Sequence, residues 1–348
     1  MVRYSIFVLP KTKVMFMKRY NALLIIVWTL FALSGCETRT QEEPKTVQTV
    51  RLGIAKQPSD GLLMIAKERG FFQKHGLNIE VTLYPSGKRA LQEGLLENRS
   101  DVIGSTEVPV IKNRLDGGDP IVFATIFTAE NVNRIAARKD AGIERPEMLR
   151  GKRIATQCAS AVHFFLHLFL LEHGVSEEDV TISCMQAEEL APALHEKTID
   201  AFSMREPYIG KAVDLEGENA LVFDAPGIYR QMELVVTSRA FAAANPQSLE
   251  KIVAALLDAE LYAEEHHEEA VSIISRWIGA EPGDVETIWQ SSRFNIALDQ
   301  SMLILMEEIS RWFIAEKLTT AQRVPNFLDS VDTVPLEKLR PQSITIMQ

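Results

Sequence analysis

Cysteine is scarce, with three in 348 residues, too few for a disulfide scaffold to hold a chain of this length. Basic charge also runs short: 37 Lys and Arg stand against 47 Asp and Glu, a formal net charge of −10. That balance argues against nucleic acid as a partner, because neutralising phosphates needs a basic face. No GxxxxGK[ST] stretch occurs, so ATP hydrolysis on such a loop falls to a separate subunit. His266-His267-Glu268-Glu269 lacks the HExxH order and reads as the solvated face of an acidic helix. No Ser-His-Asp or Cys-His order and no cluster of metal ligands stands out, so the chain reads as a non-enzyme without cofactor or metal. What remains is the composition of a soluble globular protein, 46% hydrophobic and 24% charged.

The apolar run Ala22–Leu33 is shorter than the roughly 20 residues a membrane span needs. Lys18-Arg19 precede it, the order of a secretory signal: a basic segment, then a short apolar one. Starting at Met17 gives a signal of ordinary proportions, so Met17 is the expected initiator. Leu33-Ser34-Gly35-Cys36 resembles the lipobox of bacterial lipoproteins. That resemblance makes residues 1–36 a signal peptide with its lipobox, cut just before Cys36, with Cys36 the lipidated new N-terminus and 37–49 a polar tether. The alternative is a plain secreted chain with a chance cysteine, or an uncleaved anchor.

About 310 residues follow Cys36, enough for two domains. Strand-like alternation and short apolar runs mark Val50–Ala55, Asn78–Leu83, Asp101–Ser105 and Ile121–Phe127. Helical patterns lie between them, over Gly61–Gly70, Lys88–Leu96 and Val108–Leu115. The sequence then repeats itself, with strands at Lys152–Gln157, Val180–Met185 and Asp200–Met204 separated by helices over Ala161–His173 and Leu190–Glu196. Such alternation predicts parallel βαβ units. After Met232–Thr237 only helices are expected, the first starting at Asn245-Pro246. An internal echo joins the halves: Leu95–Asp101 and Leu194–Asp200 each lead into a strand, and Glu107 and Glu206 lie six residues beyond each Asp. Two lobes built on one unit explain it most simply.

Several blocks in this order resemble the substrate-binding proteins of ABC importers, in the nitrate, sulfonate and taurine group that also holds thiamine-precursor binders. They are Ala66-Lys-Glu-Arg-Gly-Phe-Phe, His75-Gly-Leu-Asn-Ile-Glu-Val, Pro85-Ser-Gly, Ser100-Asp-Val-Ile-Gly-Ser-Thr, Leu149-Arg-Gly-Lys-Arg-Ile-Ala, Glu206-Pro-Tyr and Leu234-Val-Val-Thr-Ser-Arg-Ala-Phe. The match runs from about Val50 to Pro246. It departs at Arg205, where the family often has an aromatic residue, and it lacks the cysteine-rich signature of some thiamine-precursor binders.

The resemblance implies an α/β fold of the two-lobed periplasmic-binding-protein type II, or Venus flytrap. Each lobe is a parallel-type sheet flanked by helices, with extra helices at the C-terminus. Residues 50–134 and 236–348 form the first lobe and 135–235 the second, joined by crossing segments near Asn131–Arg138 and Met232–Ser238. It also implies a lipid-anchored monomer on the periplasmic side of the cytoplasmic membrane. Such a protein hands a small-molecule ligand to ABC permease subunits served by a separate ATPase. A catalytic protein or a receptor input lobe on the same fold is the competing reading.

In open parallel sheets ligands sit beyond the carboxyl ends of the strands. That rule selects Gln57 and Ser59, Ser86, Ser105 and Thr106 in the first lobe, and Gln157–Ala161 with Ser160, Met185-Gln186, Arg205 and Glu206 in the second. Ser105-Thr106 and Ser160 precede helices, where a hydroxyl and free N–H groups suit an anion or serve as an ordinary cap. Arg205 suits a carboxylate or sulfonate, or else an ion pair with Glu107 or Glu206. Glu107, Glu188 and Glu206 favour an amine-bearing ligand, so a zwitterion satisfies both signs. Asp101 and Asp200 are expected to fix turns. His163 and His167 share a helix face packed with phenylalanines and read as core residues rather than metal ligands. Cys158 and Cys184 follow consecutive strands, either bridged or as two free thiols.

Overall fold

The structure, a computed structural model, describes residues 48–347. The signal, Cys36 and the tether up to residue 47 lie outside the described residues. Apolar–polar alternation over Gln48–Ala55 makes the first strand, β1, and Leu77–Tyr84 makes β2. Val102–Thr106 (β3) and Pro120–Ala129 (β4) follow, buried almost throughout. The chain then crosses to a second sheet built from β5 (Arg134–Arg138), β6 (Arg153–Thr156), β7 (Thr181–Cys184), β8 (Ala201–Met204) and β9 (Ala220–Phe223). It returns through β10 (Gln231–Ser238) and adds the two-residue β11 (Ser292–Arg293).

The six-stranded sheet has the order β11-β4-β10-β3-β1-β2 and the five-stranded sheet β7-β6-β8-β5-β9. β2, β1 and β3 are mutually parallel, as are β7, β6 and β8. In each sheet the next strand is antiparallel and comes from a crossing: β10 between β3 and β4, β5 between β8 and β9. The sheets are therefore mixed rather than purely parallel. Each sheet takes the strand that follows a crossing into its interior in antiparallel sense, which a local reading of βαβ units does not contain.

The crossings are residues 130–133 and 224–230. The second was expected at Met232–Ser238, across the boundary at residue 235 where the chain was to return to the first lobe. That segment is instead a central strand of the six-stranded sheet, paired on both sides. Its run of apolar residues is the mark of a strand covered on both faces, not of a connector.

The internal echo has a shared physical cause. Arg51 in the middle of β1 donates from its N, Nε and Nη2 to Asp101, at 2.9, 3.1 and 2.5 Å. Arg153 at the start of β6 makes the same three bonds to Asp200, at 3.0, 3.1 and 2.7 Å. The guanidinium also reaches a carbonyl three residues before each aspartate, on Asn98 or Lys197, both with positive φ. These aspartates thus clamp the neighbouring strand rather than their own turn.

The helix expected over Lys88–Leu96 is one α turn, Gly87–Arg89, followed by a wider π turn over Ala90–Leu95. Helix Ala161–Glu172 is apolar on nearly every side, and it is buried accordingly. Its residues His163, Phe164 and His167 meet Trp312 of helix Gln300–Ala315, with ring centroids 5.1–5.8 Å apart. A helix of the C-terminal segment thereby packs onto the second lobe. The other long C-terminal helices, Pro246–Glu265 and His267–Ile278, cover helix Gly61–Glu68 on the first.

Candidate ligand site between the two sheets

The carboxyl ends of β1, β2, β3, β6 and β8 converge where the two crossings pass. Gln57 and Ser59 follow β1 and are buried. Gln57 Nε2 and Ser59 Oγ both donate to Glu233 Oε2, at 2.8 and 2.6 Å. Ser86, after β2, caps the short turn at Gly87 and accepts Gln157 Nε2 at 2.8 Å from the other lobe. Gly87 packs so close to Ser105 that a Cβ there would lie 2.9 Å from the Ser105 Cα, which holds the ends of β2 and β3 together. Thr106 precedes helix Glu107–Leu115 without a side-chain cap. Ser160 turns its Oγ back to the Gln157 carbonyl at 2.5 Å.

Arg205 is 3% exposed. Its Nη1 donates to Gln231 Oε1 at 3.0 Å and to Asn133 Oδ1 at 3.5 Å, and Asn133 Nδ2 donates to the same Gln231 oxygen at 3.0 Å. The first crossing and the start of β10 are thus bound to one another and to the guanidinium. Neither carboxylate anticipated for Arg205 bonds to it. Glu107 accepts from Tyr229 Oη and from Met232 N at 3.0 Å. Glu206 points away, accepting Gly210 N at 2.9 Å and lying 3.6 Å from Arg134. A helix begins directly after the Glu206-Pro207 pair, and its free N–H draws that carboxylate aside.

Further contacts close the lobes on each other. Lys88 Nζ donates to the Cys158 carbonyl at 2.5 Å, Tyr208 Oη to the Pro85 carbonyl at 3.2 Å, and Arg89 pairs with Glu188 at 2.7 Å. Glu188 is therefore a bridge between lobes. Cys158 and Cys184 form a disulfide across neighbouring β6 and β7, with Cα atoms 5.2 Å apart. His163 Nδ1 accepts from Ala159 N at 3.2 Å, and His167 meets Glu177 at 3.1 Å. His163 braces the loop that carries Cys158 and Ser160, and His167 ties the helix to the turn at Glu177.

Three buried carboxylates, Asp60, Glu107 and Glu233, surround the Arg205 guanidinium. Burial pushes the Glu107 carboxyl up to about 8 and the Glu233 carboxyl up to about 7. Burial, then the charge of Glu233, raises Asp60 well above the usual carboxylate range. Burial also lowers Arg205, against the pull of Glu233 and Glu107. Asp60, Asn133, Gln231 and Glu233 were absent from the candidates read in the sequence. The signal for two of them was there: Gln231 and Glu233 alternate with Met232 and Leu234 at the start of a strand whose middle is the apolar run Leu234–Val236.

Buried side-chain atoms without a partner collect here: Gln57 Oε1, Asp60 Oδ1, Thr156 Oγ1, Gln157 Oε1, Arg205 Nε, Gln231 Nε2 and Glu233 Oε1. Buried polar groups are normally satisfied, so this concentration marks a place prepared for another molecule. A cavity of about 10 Å³, lined by Ser59, Phe127, Val132, Arg205, Gln231 and Ile288, lies among them. It has room for about one water.

A model of the family described as NMT1/THI5 like matches residues 57–270, from the first candidate site residue into the C-terminal helices. The chain belongs to the NMT1/THI5-like family. Within reach of this family, a putative aliphatic sulfonates-binding protein of Bacillus subtilis is 29% identical over 261 residues, 73% of this chain and 77% of that one. The alkanesulfonate-binding protein SsuA of Xanthomonas axonopodis pv. citri, solved bound to MOPS, superposes with a TM-score of 0.72. It is 19% identical and covers 82% of this chain and 98% of its own. The nitrate-binding protein NrtA of Synechocystis PCC 6803 gives a TM-score of 0.58 at 17% identity, covering 78% and 81%. The two solved structures show that this NMT1/THI5-like chain has the two-lobed α/β fold of periplasmic binding proteins.

Proposed function

We propose that the protein is a lipid-anchored solute-binding protein that takes a small anionic or zwitterionic molecule, of the sulfonate or nitrate kind, between its lobes. It delivers that molecule to the transmembrane subunits of an ABC importer powered by a separate ATPase. The observation that carries this reading is the set of unpartnered, buried polar atoms contributed by both lobes and a crossing strand. A solute bridging them favours the closed arrangement over an open one, and hinge closure around ligand is how such folds signal occupancy. The names of the relatives, sulfonate and nitrate binders, support the solute class. The protein acts outside the cytoplasm as a monomer, held to the membrane through Cys36.

Thermal-shift measurements on the detergent-extracted full chain test the binding reading, with nitrate, taurine, alkanesulfonates and carboxylates as probes. A saturating ligand at about 100 times its Kd stabilises by about 2.7 kcal/mol, and no shift with any probe refutes it. For the anchor, Cys36→Ser is expected to release the protein from membranes or leave it unprocessed. An acylated, membrane-bound Cys36→Ser product contradicts the lipid attachment.

A further inference from the structure

Asp60 and Glu233 are two fully buried carboxylates side by side, and their bonding is unfinished. Glu233 uses Oε2 for Gln57 and Ser59 and leaves Oε1 without a partner. Asp60 uses Oδ2 for Ala55 N at 2.5 Å and leaves Oδ1 bare. The Asp60 carboxylate lies over Gly104 of β3, where a Cβ would come within 2.3 Å of Oδ1, so a glycine there is what makes room for it. Unpartnered acceptors in this region also include Gln57 Oε1 and Gln157 Oε1, against two bare donors, Arg205 Nε and Gln231 Nε2. The orientation of Gln231 is set, because its Oε1 accepts from both Asn133 and Arg205. Ser59, which donates to Glu233, lines one cavity with Arg205 and Gln231, so the carboxylate pair stands one hydrogen bond behind the space that the two donor residues border.

The other charged groups that face the pair are Arg205 and Glu107. Glu107 is already bonded twice, to Tyr229 and Met232. One guanidinium therefore balances one of the two carboxylates, and the second needs a proton or a cation.

We propose that Asp60 and Glu233 form a proton-linked anchor for a positively charged N–H group of the solute, an ammonium or amidinium, which displaces to solvent the proton the pair shares when empty. This deepens, and rests on, the solute-binding reading above. Arg205 Nε and Gln231 Nε2 then take an acceptor elsewhere on the same molecule.

Calorimetry on the full chain with matched probes tests it: taurine against ethanesulfonate, and benzamidine against benzoate. At least one nitrogen-bearing probe is expected to bind about tenfold or more tighter than its partner, as a charge-assisted bond allows. Its affinity should fall about tenfold from pH 8 to pH 6, for a proton lost near pH 7. About one proton should be released on binding, read from the difference between phosphate and Tris buffers. Glu233→Gln should remove the preference and the pH slope, and the pH series on the unaltered protein stands should that variant misfold. If ethanesulfonate and benzoate bind as tightly as their partners or tighter, the anchor is refuted and solute binding stands. If no probe binds, both fall.

Discussion

Replacing Arg205 by methionine removes a guanidinium that is 3% exposed and set among Asp60, Glu107 and Glu233, while keeping the apolar stem. Loss of one partner from a buried charged network costs about 3–5 kcal/mol when the other charges stay ionised. With about 2.1 cal/mol/K of unfolding entropy per residue over about 300 residues, each kcal/mol moves Tm by about 1.6 °C. The expected fall is then about 5–8 °C at pH 8. The loss should depend on pH, and the sign follows from the carboxyls. Glu107 and Glu233 have folded pKa values of about 8 and about 7, above the ordinary 4.5. Their protonated forms are favoured by folding, so their contribution is complete below about pH 4.5 and is lost as pH rises through 7 to 8. At pH 5 both carry protons in the folded state and need no guanidinium. Arg205→Met should therefore cost much less at pH 5 than at pH 8, and the unaltered protein should itself lose stability from pH 5 to 9. Scanning calorimetry at the two pH values decides it. An equal loss at both would mean that Arg205 acts through packing and its bonds to Gln231 and Asn133, and the charge argument would be wrong.

Reducing the Cys158–Cys184 disulfide, or changing both residues to serine, should lower stability by about 3 kcal/mol for a sequence separation of 26. A Tm unchanged in the double serine variant would show that the bridge does not constrain the unfolded chain. Gln157→Ala deletes the bond to Ser86 across the lobes, worth about 1 kcal/mol. Amide exchange around Ser86 should speed up about fivefold, and unchanged protection would rule out a latch there. Asp101→Asn and Asp200→Asn remove equivalent clamps on Arg51 and Arg153 and should each destabilise by about 1–3 kcal/mol in urea. The second should cost more, because Asp200 also holds the buried Arg138 at 2.9 Å. Its bond to Arg153 lowers the Asp200 pKa, so that contribution is present above the unfolded value near 3.8 and fades as pH falls through the folded one. Asp200→Asn should lack that acid-side loss.

Much of the architecture was legible before any coordinates. The positions of β1–β4, β6–β8 and β10 followed from alternation and short apolar runs, whereas β5, β9 and the two-residue β11 did not, the last lying where only helices were expected; the Asp101–Asp200 echo pointed to a duplicated lobe. The rule that ligands gather beyond strand ends picked Gln57, Ser59, Ser86, Gln157 and Arg205, all of them buried: the first two bond Glu233, the next two bond each other across the lobes, and Arg205 bonds Gln231 and Asn133. It also picked Glu206, which lies turned away on Gly210 and Arg134. Which way a strand-end side chain turns depends on the N–H groups and charges that tertiary packing supplies, not on its place in the strand. Asp60 escaped because, next to Gly61, it reads as a turn residue; its role depends on the missing side chain of Gly104, 44 positions away in the sequence.

Period-two and helical patterning act within a few residues, and they determine the strands, the helices and the repeat. The sequence therefore sufficed to specify two similar α/β units, with serines, glutamines and an arginine at their strand ends. Tertiary structure alone decided that β5 and β10 enter the interiors of their sheets in antiparallel sense and that Cys158 reaches Cys184. It alone set Arg205 on neutral amides while Asp60 and Glu233 stand together with spare oxygens. Those outcomes depend on pairings between distant segments and on burial, which shifts charge states only once both lobes and both crossings have come together.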